Sequence, residues 1–352
     1  MFNLFKKTTP VVKVCMMGGK GVGKSSVLTA LYKNMDESIK GTNLYLVPED
    51  ATISLLNNKY EELLHMFDYA GIEGVIPPAG IAGDSEVSLY RFKFGMEGTS
   101  VAMDIEFKDF PGEKVEDSPD LVQSFIDESN AVLIAIDTPH LMEENGAFNE
   151  AKNCCQIISS FMKNYLEQRC NEHKLIIFVP LKSEKYYWDN KMGDVTDAIC
   201  TQYKPLLDQI KESNQMSVCT VIAPILTVGD VVFDKFNRRS DGDIYVVPKG
   251  NTGKVLPAES VYKYRNSNAR YSPKYCEQPL LYLLTYIAKE YEKMKEMSSK
   301  TFFDKLLKRF RELFNLIGEN PEFLLEVSKL KRNRIKDRPN DGYIIITGRN
   351  LI

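Results

Sequence analysis

Eight consecutive residues constrain the fold of this chain more than any other feature: Gly18-Gly19-Lys20-Gly21-Val22-Gly23-Lys24-Ser25. They fit the pattern Gly-x-x-x-x-Gly-Lys-Ser, a loop that turns backbone N–H groups inward around a phosphate. Such a loop needs a strand before it and a helix after it. Val11 to Met17 is a short apolar, β-branched run, and Ser26-Val27-Leu28-Thr29-Ala30-Leu31 suits a helix, so the required order is present. Glycine is about 7% of average usage, so a chance match to the fixed positions is on the order of one in a hundred for a chain of 352 residues. In this setting Gly18, Gly19, Gly21 and Gly23, with Val22, cradle the β-phosphate. Lys24 neutralises β- and γ-phosphate oxygens, and the Ser25 hydroxyl ligates Mg²⁺ at the helix N-terminus, with Ser26 behind it.

Further apolar runs at Val87 to Phe94, Val101 to Phe107, Ala131 to Asp137, Lys174 to Pro180 and Val218 to Leu226 read as strands. Helical spacing occupies Ile53 to Met66, Leu121 to Glu128, Asn149 to Gln168, Thr196 to Glu212 and Leu280 to Met297. Gly95-Met96-Glu97-Gly98 joins the second and third runs as a hairpin turn. Alternating strand and helix predict an α/β P-loop NTPase fold: a mostly parallel sheet with one antiparallel strand, helices on both faces, and a C-terminal helical extension. Hydrophobic residues at 43% and charged ones at 26% suit a globular core. The expected division is an N-terminal arm over 1–10, a nucleotide domain over 11–299 with insertions near 34–86 and 234–275, and a basic extension over 300–352.

A second motif follows the third strand. Asp109-Phe110-Pro111-Gly112 lies about 85 residues beyond the phosphate loop, where Asp109 supports Mg²⁺ and the Gly112 N–H senses the γ-phosphate. Asp104 and Glu106 lie earlier in that strand and lack the glycine behind them.

With these two motifs the chain resembles the Ras-like P-loop GTPases of the translation-factor-related class, most closely the bacterial double-GTPase domain family. The resemblance spans about residues 11–297 and implies GTP and GDP as ligands, Mg²⁺ as cofactor and switch behaviour. It places a guanine motif after the strand Lys174 to Pro180, where the chain has Leu181-Lys182-Ser183-Glu184. Lys182 then stacks its stem on the base, and Glu184 replaces the aspartate that accepts from guanine; Leu181 departs from the family's Asn. A last base-contacting loop belongs near Thr227-Val228-Gly229. The residue after Gly112, a glutamine in Ras-like relatives, is Glu113, a candidate for orienting water that implies slow turnover. Lys20 is a candidate source of positive charge for the transition state. The switch ligand to Mg²⁺ is expected at Ser85, with Thr52 as a more distant candidate. An ATPase and a nucleotide-dependent scaffold that scarcely hydrolyses remain open alternatives.

Composition narrows the partners. The formal charge is -3, which gives no reason to expect nucleic acid. It conceals a split: from Lys300 onward there are 12 basic and 7 acidic residues, net +5, against 33 and 41 before, net -8. Phe302 to Ile317 carries an apolar stripe with basic flanks, which suits packing on the nucleotide domain, an effector protein, or, least well, an anionic membrane surface. The seven cysteines form no Cys-x-x-Cys pair and the three histidines lack metal-ligand spacing, so reduced thiols, no zinc site and a cytoplasmic location are expected.

Overall fold

The computed structural model describes residues 11–78, 86–99, 103–169, 172–214, 217–240, 242–244, 248–249, 254–255, 257–296, 321–334 and 336–352. The expected arm over 1–10, the switch candidate Ser85 and the amphipathic stripe from Phe302 to Ile317 lie outside them.

The chain begins with β1 (Val11–Met17), followed after the glycine loop by α1 (Lys24–Lys33). The first insertion holds α2 (Met35–Ile39), an edge strand β2 (Leu44–Pro48) and α3 (Asp50–His65). Then come β3 (Ser88–Met96), β4 (Met103–Asp109), α4 (Lys114–Asp117), α5 (Pro119–Glu128) and β5 (Ala131–Asp137). The helix expected over 149–168 is two: α6 (Thr138–Met142) leads to α7 (Asn149–Asn153) and α8 (Cys155–Gln168), parted where Cys154 turns left-handed at φ 54. After β6 (Lys174–Leu181), α9 (Glu184–Trp188), α10 (Met192–Gln202) and α11 (Lys204–Gln209) precede β7 (Val218–Ile222).

One eight-stranded sheet runs β2-β3-β4-β1-β5-β6-β7 and ends on a strand from the last residues, β12 (Ile344–Thr347). β5 and β6 are buried along their whole length, as their unbroken apolar runs require of central parallel strands. In β3, Tyr90, Phe92 and Phe94 are buried while Arg91 and Lys93 face out, the alternation of a half-covered strand. The sheet divides the core. Val12, Val14 and Met16 of β1 pack with α1 on one face, and Cys15 and Met17 pack with α5, α8 and α10 on the other.

The sheet is mostly parallel, as expected, with antiparallel pairing confined toward its two edges. β3 runs against β4 as the hairpin predicts, and the terminal strand runs against β7. The second insertion carries strands of its own. β8 (Val231–Phe236) pairs antiparallel with β11 (Ser260–Tyr264), and a two-residue ladder of β9 (Pro248–Lys249) and β10 (Lys254–Val255) lies between them in sequence. β8 and β11 form a satellite cluster with α3 through Leu63, Met66, Phe233, Phe236 and Tyr262.

The tail also returns to the body. α12 (Gln278–Glu296) and α13 (Pro321–Arg334) cover one face through Leu281, Leu284, Phe323 and Val327. β12 (Ile344–Thr347) extends the sheet, Tyr343 Oη donates to Pro224 O at 2.9 Å, and Leu351 and Ile352 are buried. Its β-branched run lies beside β7, so the last strand of the C-terminal extension joins the main sheet. Among the described residues no helix is long and apolar enough to cross a membrane, and the cysteines are free thiols.

Candidate functional site

The sheet positions the two phosphate motifs. β1 and β4 are parallel with Met16 opposite Asp109, so the glycine loop and the Asp109 carboxylate emerge side by side at the strands' carboxyl ends. Ser25 Oγ donates to Asp109 Oδ2 at 2.9 Å, and Lys24 Nζ lies 3.9 Å from Asp109 Oδ1 while donating to Gly18 O at 3.1 Å. Lys24, Ser25, Ser26 and Asp109 are all buried. A buried lysine folded back on its own loop is poised to exchange a carbonyl for a phosphate oxygen.

Gly112 lies directly on the phosphate loop: a Cβ there would meet Lys20 N at 2.2 Å and Gly19 C at 2.3 Å. Only glycine permits this approach. The next residue, Glu113, forms an ion pair with Lys20 at 2.7 Å, and Lys20 is 79% exposed at its side chain. The hydrogen bond from Lys20 holds the Glu113 carboxyl below its usual range. The two candidates for hydrolysis therefore engage each other at the rim.

The base motif closes over the same loop. Asp137 is opposite Leu181 across β5 and β6, and Lys182 adopts φ 54, a left-handed conformation that costs a non-glycine residue about 1 kcal/mol. Its Nζ donates to Gly21 O and to Asp137 Oδ2, each at 2.8 Å. Asp137 is fully buried and also accepts from His140 Nδ1 at 2.6 Å, while His140 Nε2 meets Ala258 O at 2.8 Å. Burial opposes the Asp137 charge, but Lys182 and His140 outweigh it and hold the carboxyl far below the usual carboxylate range. Burial likewise opposes the charge of Lys182, and Asp137 more than restores it, pushing the pKa up.

Glu184 is buried, and its Oε1 accepts from Val228 N at 3.2 Å and Gly229 N at 3.4 Å. It thus braces the Thr227-Val228-Gly229 loop, and burial raises its pKa despite those bonds. A cleft open to solvent is lined by Val22, Gly23 and Ser26, by Lys182 and Glu184, and by Leu63, Met66 and Tyr262 from the two insertions. Thr52 is elsewhere: its Oγ1 accepts from Arg91 N at 2.8 Å, between α3 and β3.

The structure brings Gly18 to Ser26, Asp109, Gly112, Lys182 and Glu184 to one end of the sheet. The fold is that of an α/β P-loop NTPase. No family model matches the sequence, and comparison with curated proteins finds no relative. Among solved structures, the GTP-bound Ski7 GTPase-like domain of S. cerevisiae is similar at 13% identity and TM-score 0.37, covering 62% of this chain and 43% of that one. The same domain with GDP and inorganic phosphate gives 14% identity and TM-score 0.35, with 62% and 44% covered. The chain thus spans less than half the length of those structures.

Sequence reasoning did not single out Asp137, His140, Lys152 or Tyr262 for this site. Asp137 had a usable signal, a carboxylate closing an apolar strand as Asp109 does. His140 and Lys152 enter from the segment between β5 and α8 and Tyr262 from the second insertion, approaches that no local pattern announces.

Proposed function

We propose that the protein is a Mg²⁺-dependent guanine-nucleotide-binding protein that slowly hydrolyses GTP to GDP and phosphate and acts as a molecular switch read by an effector protein. The observation that carries this reading is the double contact of Lys182 with Gly21 O and Asp137. It joins the base motif to the phosphate loop, so phosphates on Gly18–Ser25 leave the base beside the Lys182 stem and the Glu184 carboxylate. Glu184 Oε1 is engaged by the 228–229 backbone, and its second oxygen is the acceptor for the donor edge of guanine.

The metal fits the residues present. Ser25 Oγ and Asp109 are hard oxygen donors 2.9 Å apart, and among the described residues no group of three acidic, His or Cys side chains could hold an ion alone. Such sparse protein ligation suits Mg²⁺, which keeps water and phosphate oxygens in its shell. When bound it would supply charge neutralisation at the β- and γ-phosphates. Lys24 leaves Gly18 O for a phosphate oxygen, and the Gly112 N–H meets the γ-phosphate. Water attacks the γ-phosphorus as the bond to the bridging oxygen breaks, and slow turnover follows from Glu113 being held by Lys20 rather than aimed at that water.

Titration with mant-GDP against mant-ADP tests the base preference, and tighter ADP binding would sink the guanine assignment. Phosphate release over hours, with Lys24→Ala as control, tests hydrolysis. The Lys20–Glu113 pair also favours a second reading, a scaffold that binds nucleotide and scarcely turns it over; release no faster than in the Lys24→Ala control would select it.

A further inference from the structure

A further lysine reaches the phosphate loop from a segment outside the motifs. Lys152 is carried by α7, the short helix between β5 and α8. That helix is fixed by Asn153, whose Oδ1 accepts from Asp137 N at 2.8 Å and whose Nδ2 donates to Asp137 O at 3.1 Å and Asn149 Oδ1 at 2.8 Å. Its backbone abuts the loop so closely that a Cβ at Gly19 would lie 2.0 Å from Lys152 O. The side chain then crosses the loop, and a Cβ at Gly21 would lie 3.2 Å from Lys152 Nζ. The half-buried ammonium is therefore part of the loop's surface.

The other lysines there are occupied, Lys20 by its ion pair with Glu113. Lys24 donates to Gly18 O and faces Asp109; Lys182 is shared between Gly21 O and Asp137. Lys152 Nζ has no hydrogen bond or ion pair among the described residues. With Lys20, four ammonium groups meet three ion-paired carboxylates, Asp109, Glu113 and Asp137, and each of these carboxylates lies with one of the other lysines. Burial first, and then the positive charges of Lys182 and Lys24, bring the Lys152 pKa down to about 8, with Asp137 only partly offsetting them. A site with surplus, partly desolvated positive charge on a fixed backbone is built for an anion.

We propose that Lys152 is a second phosphate-facing lysine of this site, its ammonium contacting the phosphate chain of the nucleotide held by Gly18–Ser25. This rests on the nucleotide-binding reading above and adds to it a cation from the β5–α8 segment.

The test titrates mant-GTP and mant-GDP with Mg²⁺ into wild type, Lys152→Met, Lys152→Arg and Lys24→Ala, and records thermal melts with and without nucleotide. Lys152→Met keeps the stem and removes the charge; it should bind mant-GTP roughly 10- to 100-fold more weakly, the range of one lost charge-assisted hydrogen bond, with most of the loss restored by Lys152→Arg. Without nucleotide, Lys152→Met should melt no lower than wild type, because it relieves repulsion. Binding of both nucleotides within twofold of wild type would overturn the proposal and leave the nucleotide reading intact. So would weaker binding with a lowered nucleotide-free melt that Lys152→Arg does not rescue, which would mark a structural residue. Failure of wild type to bind either nucleotide would overturn both.

Discussion

Asp137→Asn removes one charge from the most buried polar cluster near the phosphate loop and keeps its shape. In the wild type the carboxylate meets Lys182 Nζ at 2.8 Å and His140 Nδ1 at 2.6 Å with no solvent exposure. Breaking a buried pair by removing one partner costs about 3–5 kcal/mol, because the other charge is left uncompensated. Lys182 retains 17% side-chain exposure and its bond to Gly21 O, which screens part of that cost and brings the expectation to about 2–3 kcal/mol. With a urea m-value of about 3 kcal/mol/M for a chain of this size, the nucleotide-free midpoint should fall by roughly 0.7–1 M at pH 7. Repeating the substitution in a Lys182→Met background should shrink the loss, since the charge it strands is already gone. Because the folded Asp137 pKa is depressed, its stabilisation is fully present above the unfolded value near 3.9. The gap between wild type and variant should therefore narrow as the pH falls below about 4. A midpoint shift under about 0.2 M, or an equal loss in both backgrounds, would refute the assignment of Asp137 as the counter-charge of Lys182.

Gly112→Ala puts a methyl against backbone atoms 2.2 and 2.3 Å away, so the Asp109–Gly112 loop must lift; a loss of about 1–3 kcal/mol in chemical denaturation is expected, and an unchanged midpoint would count against the close approach. Asp109→Asn should abolish most of the difference in nucleotide affinity between Mg²⁺ and EDTA, which isothermal titration of wild type and variant will read. Truncation after residue 342 removes β12, the Tyr343 bond to Pro224 and buried Leu351 and Ile352, so the melting temperature should drop by several degrees; a full-stability truncation would contradict the terminal strand's place in the sheet. Lys20→Ala breaks a mostly exposed ion pair, and the thermal midpoint should stay within about 1–2 °C of wild type.

What could be read from the sequence was what is local. β1, the glycine loop and α1 are contiguous, and β5 falls on its apolar run because a central strand buries both faces. Asp109 could be read because a strand and a glycine frame it. β2 could not: its run is only five residues long and ends on Pro48, and of it only Leu44 and Leu46 are buried. The run from Tyr343 to Thr347 looks like a strand, yet its pairing with β7 spans more than a hundred residues, and periodicity carries no information about a partner. Helical spacing also runs unbroken through Cys154, where the backbone turns left-handed. Lys152 lies just upstream of that break, in the short helix whose backbone meets Gly19.

The cleft draws its walls from two cores of unequal size. Lys182 and Glu184 follow β6, in the middle of the main sheet, whereas Leu63, Met66 and Tyr262 belong to the small cluster under β8 and β11. Amide protons behind the first wall should exchange only with opening of the sheet, and those of β8 and β11 at a far lower opening free energy. The residence time of any molecule seated in the cleft is then set on one side, by how often the smaller core parts.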